Sequence, residues 1–323
     1  MGYTEAPGQD IVLIGGGNGL SVVADGLREA GMADHVAAAI VTVYDNGGST
    51  GLLREQYPDM LAPGDIRRVL AALATDRVAA QKFNDRLSNG HAAGNLELVA
   101  LAQELGSFDL AIAHVAGRLG VSNSVIPASL QPATLVMRHY DDDIVGEHNI
   151  GEFPVTDPFA TLSLEPPVSA HPDAIRAIAR ARKIVIAPGS IRTSLGAALL
   201  PAGLVEAIQG NEEAELVVIA NLHAEPGQNP EEWHVADHAR SLGELIGRDP
   251  DWILHHVGAL PNGEQPLGIN PEGFRNITAR IIAEAMATTR EDGRTIHDGA
   301  VVAKLLHGLI SSPESQRHEY AWR

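Results

Sequence analysis

Short, fully apolar runs alternate with glycine turns and helical periods along most of this chain. Asp10 to Ile14 is one such run and predicts a buried strand. Gly15 to Gly19 breaks it, and Leu20 to Ala30 then places Leu20, Val23, Ala24 and Leu27 at helical spacing. Val36 to Tyr44 predicts a second buried strand. Continuous rather than alternating apolar runs suit a parallel sheet covered on both faces. A loop-rich stretch follows from Asp45 to Gly64. Helices are then predicted at Asp65 to Ala74, Arg77 to Leu87, Asn95 to Leu105 and Phe108 to Leu119. Ala133 to Tyr140 and Asp143 to Val145 predict a β-hairpin turning at Asp141 and Asp142. Gly146 to Pro172, with four prolines before its end, reads as an irregular excursion.

The rhythm then resumes. Strands are predicted at Lys183 to Ala187, Glu215 to Ala220 and Trp252 to Val257. Helices are predicted at Ser190 to Leu199, Trp233 to Ile246, Gly273 to Ala287 and Gly299 to Leu309, with a polar tail after Ser311. Such alternation implies a Rossmann-like, three-layer α/β/α fold with a mostly parallel, doubly wound sheet. The whole chain reads as one domain, with a core over about residues 10–310 and an excursion over about 120–172.

Charge narrows the partners. Asp plus Glu number 41 against 23 Lys plus Arg, a net charge of −18, which opposes nucleic acid. Aromatics at 4% argue against a base-stacking platform. Cys is absent, which removes thiolate zinc sites and cysteine nucleophiles and fits the cytoplasm. The N-terminal residues lack the apolar region of a secretory signal, and no run reaches the ~20 residues of a membrane span.

Five segments could carry chemistry. Gly15, Gly16, Gly17, Asn18 and Gly19 sit between a strand and a helix, where backbone N–H groups can meet a phosphate. The dinucleotide fingerprint is broken at Leu20, and no Walker lysine is present. Asp45, Asn46, Gly47, Gly48 and Ser49 form a second glycine loop at the next strand end. It is equally a plain turn or a ligand loop, with Asp45 able to bond a hydroxyl or hold Mg²⁺. Gly64 and Asp65 suit a helix start, and Asp65 a cap. Capping does not explain Arg67 and Arg68, cations in the first helical turn, and an anionic ligand facing Arg67 would suit that placement. Gly189, Ser190 and Thr193 repeat the strand-turn-helix arrangement, although simple capping covers them. His234 and His238 share a helix face, but Val235 stands where a zinc motif needs Glu.

Together the motifs resemble the YvcK proteins, or gluconeogenesis factors, of the CofD (2-phospho-L-lactate transferase) superfamily. They are GGGNGLS from Gly15, DNGGSTGLLR from Asp45, APGDIRR from Ala62, GHAAGNL from Gly90 and VIPASLQPATL from Val125. VGEHNI from Val145, IAPGSIRTS from Ile186, NLHAEPGQ from Asn221 and the closing His297-Asp298 follow in order. The resemblance implies a cytoplasmic, Rossmann-like binder of a phosphorylated small molecule. The expected ligand is a UDP-sugar, notably UDP-N-acetylglucosamine, linked to carbon metabolism, cell wall and cell shape. Neither nucleic acid nor a membrane span is expected, and a homo-oligomer is left open. Phosphates are expected on the Gly15 to Gly19, Gly47 to Ser49 and Ser190 turns. Asp45, Asn95 and Asn221 would bond hydroxyls, and Trp233 would stack. This reading needs no cofactor and no turnover.

The alternative is a CofD-like transferase, moving a phospholactyl or phosphoenolpyruvyl group from a nucleotide diphosphate to a deazaflavin. Arg67 would then meet transition-state charge, and Asp45 would hold Mg²⁺. Asn46, where the family commonly has a second acid, weakens that metal site. Ile296 stands where Arg often precedes His-Asp, and Arg294 is the candidate substitute.

Overall fold

The structure, a computed structural model, describes residues 10–157, 159–230, 232–275 and 277–311. The N-terminal stretch, Pro158 and the polar tail beyond Ser311 lie outside the described residues.

Seven parallel strands form the central sheet: β1 (Ile11–Gly15), β2 (Val36–Val41), β3 (Ser124–Pro127), β4 (Lys183–Ile186), β5 (Glu215–Ile219), β6 (Trp252–His256) and β7 (Arg280–Glu284). Their order is β7-β6-β5-β4-β1-β2-β3, the doubly wound arrangement extended by one edge strand. Alternate residues of β1 serve opposite faces. Ile11 and Leu13 join a core with α1 (Gly17–Glu29), α3 (Gly64–Leu73) and the C-terminal helix Gly299–Ser311. Val12 and Ile14 join a second core with the helices Pro172–Arg180, Leu204–Gly210 and Val235–Ile246. That two-sided burial is why these strands read as unbroken apolar runs.

The structure corrects several boundaries. The stretch expected to be loop contains α2 (Gly48–Gln56), whose pattern hides because Leu53 is buried and the adjacent Leu52 is exposed. The helix expected over Gly273 to Ala287 is instead a 3₁₀ turn, Pro271–Phe274, followed by β7. Ile277, Ile281 and Ile282 mimic a helical period, but β-branched residues favour the sheet edge. Ser190 to Leu199 is a wide π-helical turn, Ile191–Gly196, before a short α-helical segment. The expected hairpin forms as Thr134–His139 and Asp142–Val145. Within the supposed irregular excursion, Thr161–Glu165 adds a third antiparallel strand and Glu147–Glu152 forms a helix. A further hairpin, Ala287–Thr289 with Thr295–His297, was unassigned in the sequence reading, as was the helix Pro172–Arg180.

α1 crosses the C-terminal helix at a glycine pair. A Cβ on Gly26 would lie 2.1 Å from the Gly299 carbonyl oxygen. Gly26→Ala must therefore push the helices apart, at a cost of about 1–3 kcal/mol. Urea unfolding should show a lowered midpoint; an unchanged midpoint would refute this contact.

Candidate functional site

From β1 the chain runs outward to β2 and β3, then returns to β4 on the other side of β1. The strand order thus reverses between β1 and β4, and the crevice beyond their C-terminal ends is where such sheets bind ligands. Two clefts open there, on either side of the start of α1. The first, about 260 Å³, is lined by Asn18, Gly19, Pro188, Gly189, Ser190, Asn221, His223, Glu225, Thr295, Ile296 and His297, among others. The second, about 180 Å³, is lined by Gly17, Thr42, Asp45, Asp65, Arg68, Glu147, Thr193 and Ser194.

The second cleft gathers three carboxylates and one cation. Asp65 accepts the Gly17 N–H and pairs with Arg68, so a carboxylate of the protein itself sits at the start of α1. Burial raises the Asp65 carboxyl above the usual range. Asp45 accepts the Gly47 N–H at 2.7 Å. Glu147 is hydrogen-bonded to Asp45 and Thr193; burial, then the Asp45 charge, pushes its carboxyl up to about 7. Asn46 does not add a fourth acceptor to the cleft. Its Oδ1 accepts the His148 N–H at 2.8 Å and so anchors the segment that carries Glu147. Beyond the excursion helix, Gln228 Nε2 donates to the carbonyls of Ile150 and Phe153 at 2.9 and 2.8 Å. These carboxylates are committed to protein donors and to one another. Among the described residues no group of three or more His, Cys, Asp or Glu is arranged to hold a metal ion.

Of the residues singled out in the sequence, the crevice brings together Gly17, Asn18, Gly19, Asp45, Asp65, Gly189, Ser190, Thr193 and Asn221. Gly15 ends β1, and Gly16 caps α1 with no room for a side chain: its Cβ would lie 2.4 Å from Thr42 Cγ2. Gly47 and Gly48 start α2. Gly64 packs on Thr50, 2.7 Å from the position of a Cβ. Ser49, Asn95 and Arg67 go elsewhere. Arg67 Nε donates to Asn95 Oδ1 at 2.9 Å, and Nη1 donates to Asn84. Asn95 Nδ2 donates to Ser49 Oγ at 3.1 Å. This buried network ties α2, α3 and the helix Ala93–Leu105 together, and Arg67, which donates to these internal acceptors, lines neither cleft. Burial, then the charges of Arg68 and Arg86, pushes the Arg67 guanidinium down to about 10. Trp233 packs on a small core containing Val235 and Leu267 and does not line the clefts. His234 caps the helix that contains the buried His238, so the two do not share a helix face. Arg294 lies 3.8 Å from Asp292 and lines neither cleft.

The lining residues not singled out as site residues include Arg68, Glu147, Glu225 and His297. Arg68 adjoins the arginine that was chosen, and only the phase of α3 separates the two. Glu147, Glu225 and His297 lay inside quoted motifs, but they sit at a helix start, on a loop and on a hairpin whose paths local pattern does not give.

The CofD family model, described as 2-phospho-L-lactate transferase, matches residues 11–286. This chain belongs to the CofD family. It is 38% identical over 322 residues to a gluconeogenesis factor of Listeria innocua, covering 95% of this chain and 97% of that one. The gluconeogenesis factor of Listeria monocytogenes is 33% identical over 322 residues, with the same coverage. A crystal structure of a Bacillus halodurans protein superposes with a TM-score of 0.83 at 29% identity, over 93% of this chain and 99% of that one. No helix among the described residues is long and apolar enough to cross a membrane.

Two predictions follow from the electrostatics. Folded Glu147 holds its proton to about 7 against an ordinary 4.5, so the unfolded chain loses it first. Its contribution to stability therefore falls as pH rises through that window and stays lost above it. Glu147→Gln should be more stable relative to wild type at the alkaline end than at the acid end, as read by urea midpoints. A pH-independent difference would contradict the assignment. Arg67→Ala should cost roughly 2 kcal/mol, because it strands buried acceptors. It should leave ligand affinity within about twofold, the small change expected where no contact with ligand is lost.

Proposed function

We propose that this chain binds a nucleotide sugar of the UDP-sugar class, with UDP-N-acetylglucosamine the first candidate, and acts as a regulatory protein without turnover. The observation that carries this reading is the pair of clefts sharing the first turn of α1 at the switch point. A diphosphate over Asn18 and Gly19 would meet helix N-terminal donors, leaving one cleft for each end of the ligand. The Ser190 turn is less suited to phosphate than its sequence suggests. Gly189 N–H is given to Asn221 Oδ1 at 2.8 Å and Thr193 N–H to Ser190 Oγ at 3.3 Å. Asp45 faces a hydroxyl-bearing portion in this reading, while Ser49, Asn95 and Trp233 support the walls. A role in carbon metabolism accords with the name gluconeogenesis factor borne by the Listeria relatives, and the same proposal puts the protein in the cytoplasm with a part in cell-wall or cell-shape control. Binding in this form needs neither cofactor nor metal.

A CofD-like transferase is the second reading, favoured by the family description itself. It would require Mg²⁺ with the ligand's phosphates to draw Asp45 from its present partners. Asn46, turned to the His148 amide, adds no second acid to help.

Calorimetry of the nucleotide-free protein with UDP-N-acetylglucosamine, with and without Mg²⁺, separates the readings. Regulatory binding predicts affinity on the order of micromolar, independent of Mg²⁺, with intact ligand recovered. Mg²⁺-dependent nucleotide release with a deazaflavin acceptor, lost in Asp45→Ala, would instead establish the transferase. Gly17 has φ +60°, and a β-branched side chain is strained there. Gly17→Val should cost at least about tenfold in affinity, or about 1.4 kcal/mol. Unchanged affinity in the folded variant would sink the placement at α1.

A further inference from the structure

The first cleft is short of positive charge and rich in fixed acceptors. Neither Lys nor Arg lines it, although the charge of Arg192 reaches Glu225, whose carboxyl burial raises. Its one carboxylate, Glu225, is held from two sides. Asn221 Nδ2 donates to Glu225 Oε1 at 3.0 Å, and the Ser190 hydroxyl is hydrogen-bonded to the same carboxylate. Asn221 is otherwise spent on the Gly189 backbone, accepting its N–H at 2.8 Å and donating to its carbonyl at 3.0 Å. Two residues that the sequence assigned to ligand contact therefore position a third. An ionised carboxylate has about four lone-pair sites, and Glu225 uses two of them here. Two remain for donors from the cleft.

His297 extends the same character. Its Nε2 lies 3.0 Å from the Ala220 carbonyl oxygen, which can only accept. Nε2 therefore carries the proton, and Nδ1 is left with the lone pair. Burial pushes this imidazole down to about 4, which keeps it neutral and accepting. The Thr295 hydroxyl, also on the lining, is buried without a partner. A phosphate placed in this cleft would face a carboxylate and a lone pair. A group carrying adjacent hydroxyls would satisfy them.

We propose that the first cleft reads a vicinal diol of the ligand, with the Glu225 carboxylate accepting both hydroxyls, so that Glu225 is the specificity-determining residue. This rests on the nucleotide-sugar reading above, and the diol can belong to either the ribose or the hexose. The diphosphate then lies over the Asn18 and Gly19 amides and not against Glu225.

The test is calorimetry of the full chain with UDP-N-acetylglucosamine, UDP and 2′-deoxy-UDP, in wild type and Glu225→Gln. If the ribose supplies the diol, wild type prefers UDP to 2′-deoxy-UDP by roughly tenfold or more, the worth of a hydrogen bond to a charged group. If the hexose supplies it, UDP and 2′-deoxy-UDP bind alike and UDP-N-acetylglucosamine exceeds both by that factor. In either case Glu225→Gln removes the preference. Loss of a repelling charge alone would make the variant bind all three ligands more tightly, and that outcome overturns the proposal. So does a preference that survives in the variant, or wild-type binding that shows neither preference. Failure of wild type to bind any of the three would overturn the nucleotide-sugar reading itself and this proposal with it. Glu225→Asp, which keeps the charge and shortens the reach, should retain the fold and lose most of the preference. It serves if the Gln variant does not fold.

Discussion

The close approach of two turns governs this molecule. A Cβ on Gly19 would lie 1.8 Å from the Pro188 carbonyl oxygen, so only glycine lets the start of α1 reach the turn after β4. That contact lies at the reversal of strand order. Gly19 and Pro188 both line the acceptor-rich first cleft, and Gly17, two residues before Gly19, lines the carboxylate-rich second one.

The excursion helix Glu147–Glu152 closes the second cleft from outside the central sheet. It is held at both ends, by Asn46 through the His148 amide and by Gln228 through the Ile150 and Phe153 carbonyls. Asn46 thus has a structural use that an acid could not fill without adding a fourth carboxylate beside Asp45, Asp65 and Glu147. The charge of the cleft is already costly, since the burial and mutual repulsion that raise Glu147 act against the folded state. Asn46 avoids that added repulsion and holds the Glu147–Glu152 helix in place.

The sheet was legible wherever burial on both faces produced an unbroken apolar run, as in β1, β2, β4, β5 and β6. It was illegible at the edges. β3 is short and ends in Pro127, and β7 carries isoleucines whose spacing also fits a helix. The glycine turns of the site were legible because backbone geometry demands them. Partners across the crevice were not. Arg67 and Arg68 differ by one position, yet one enters a buried network of asparagines and the other lines the cleft. Ser190 and Asn221 were placed in the site for their own hydrogen bonds, but those bonds are spent on Gly189, Thr193 and Glu225. Such assignments depend on contacts between residues far apart in sequence, 28 apart for Arg67 and Asn95 and 32 for Gly189 and Asn221. No local pattern encodes them.

The central claim is that the two clefts form one site joined at the first turn of α1. A crystal structure of the protein with UDP-N-acetylglucosamine tests it most directly. The account predicts diphosphate density over the Asn18 and Gly19 amides, with hydroxyls of the ligand on Glu225. Diphosphate seated in the first cleft against Glu225, or a ligand bound away from the β1–β4 crevice, would contradict it.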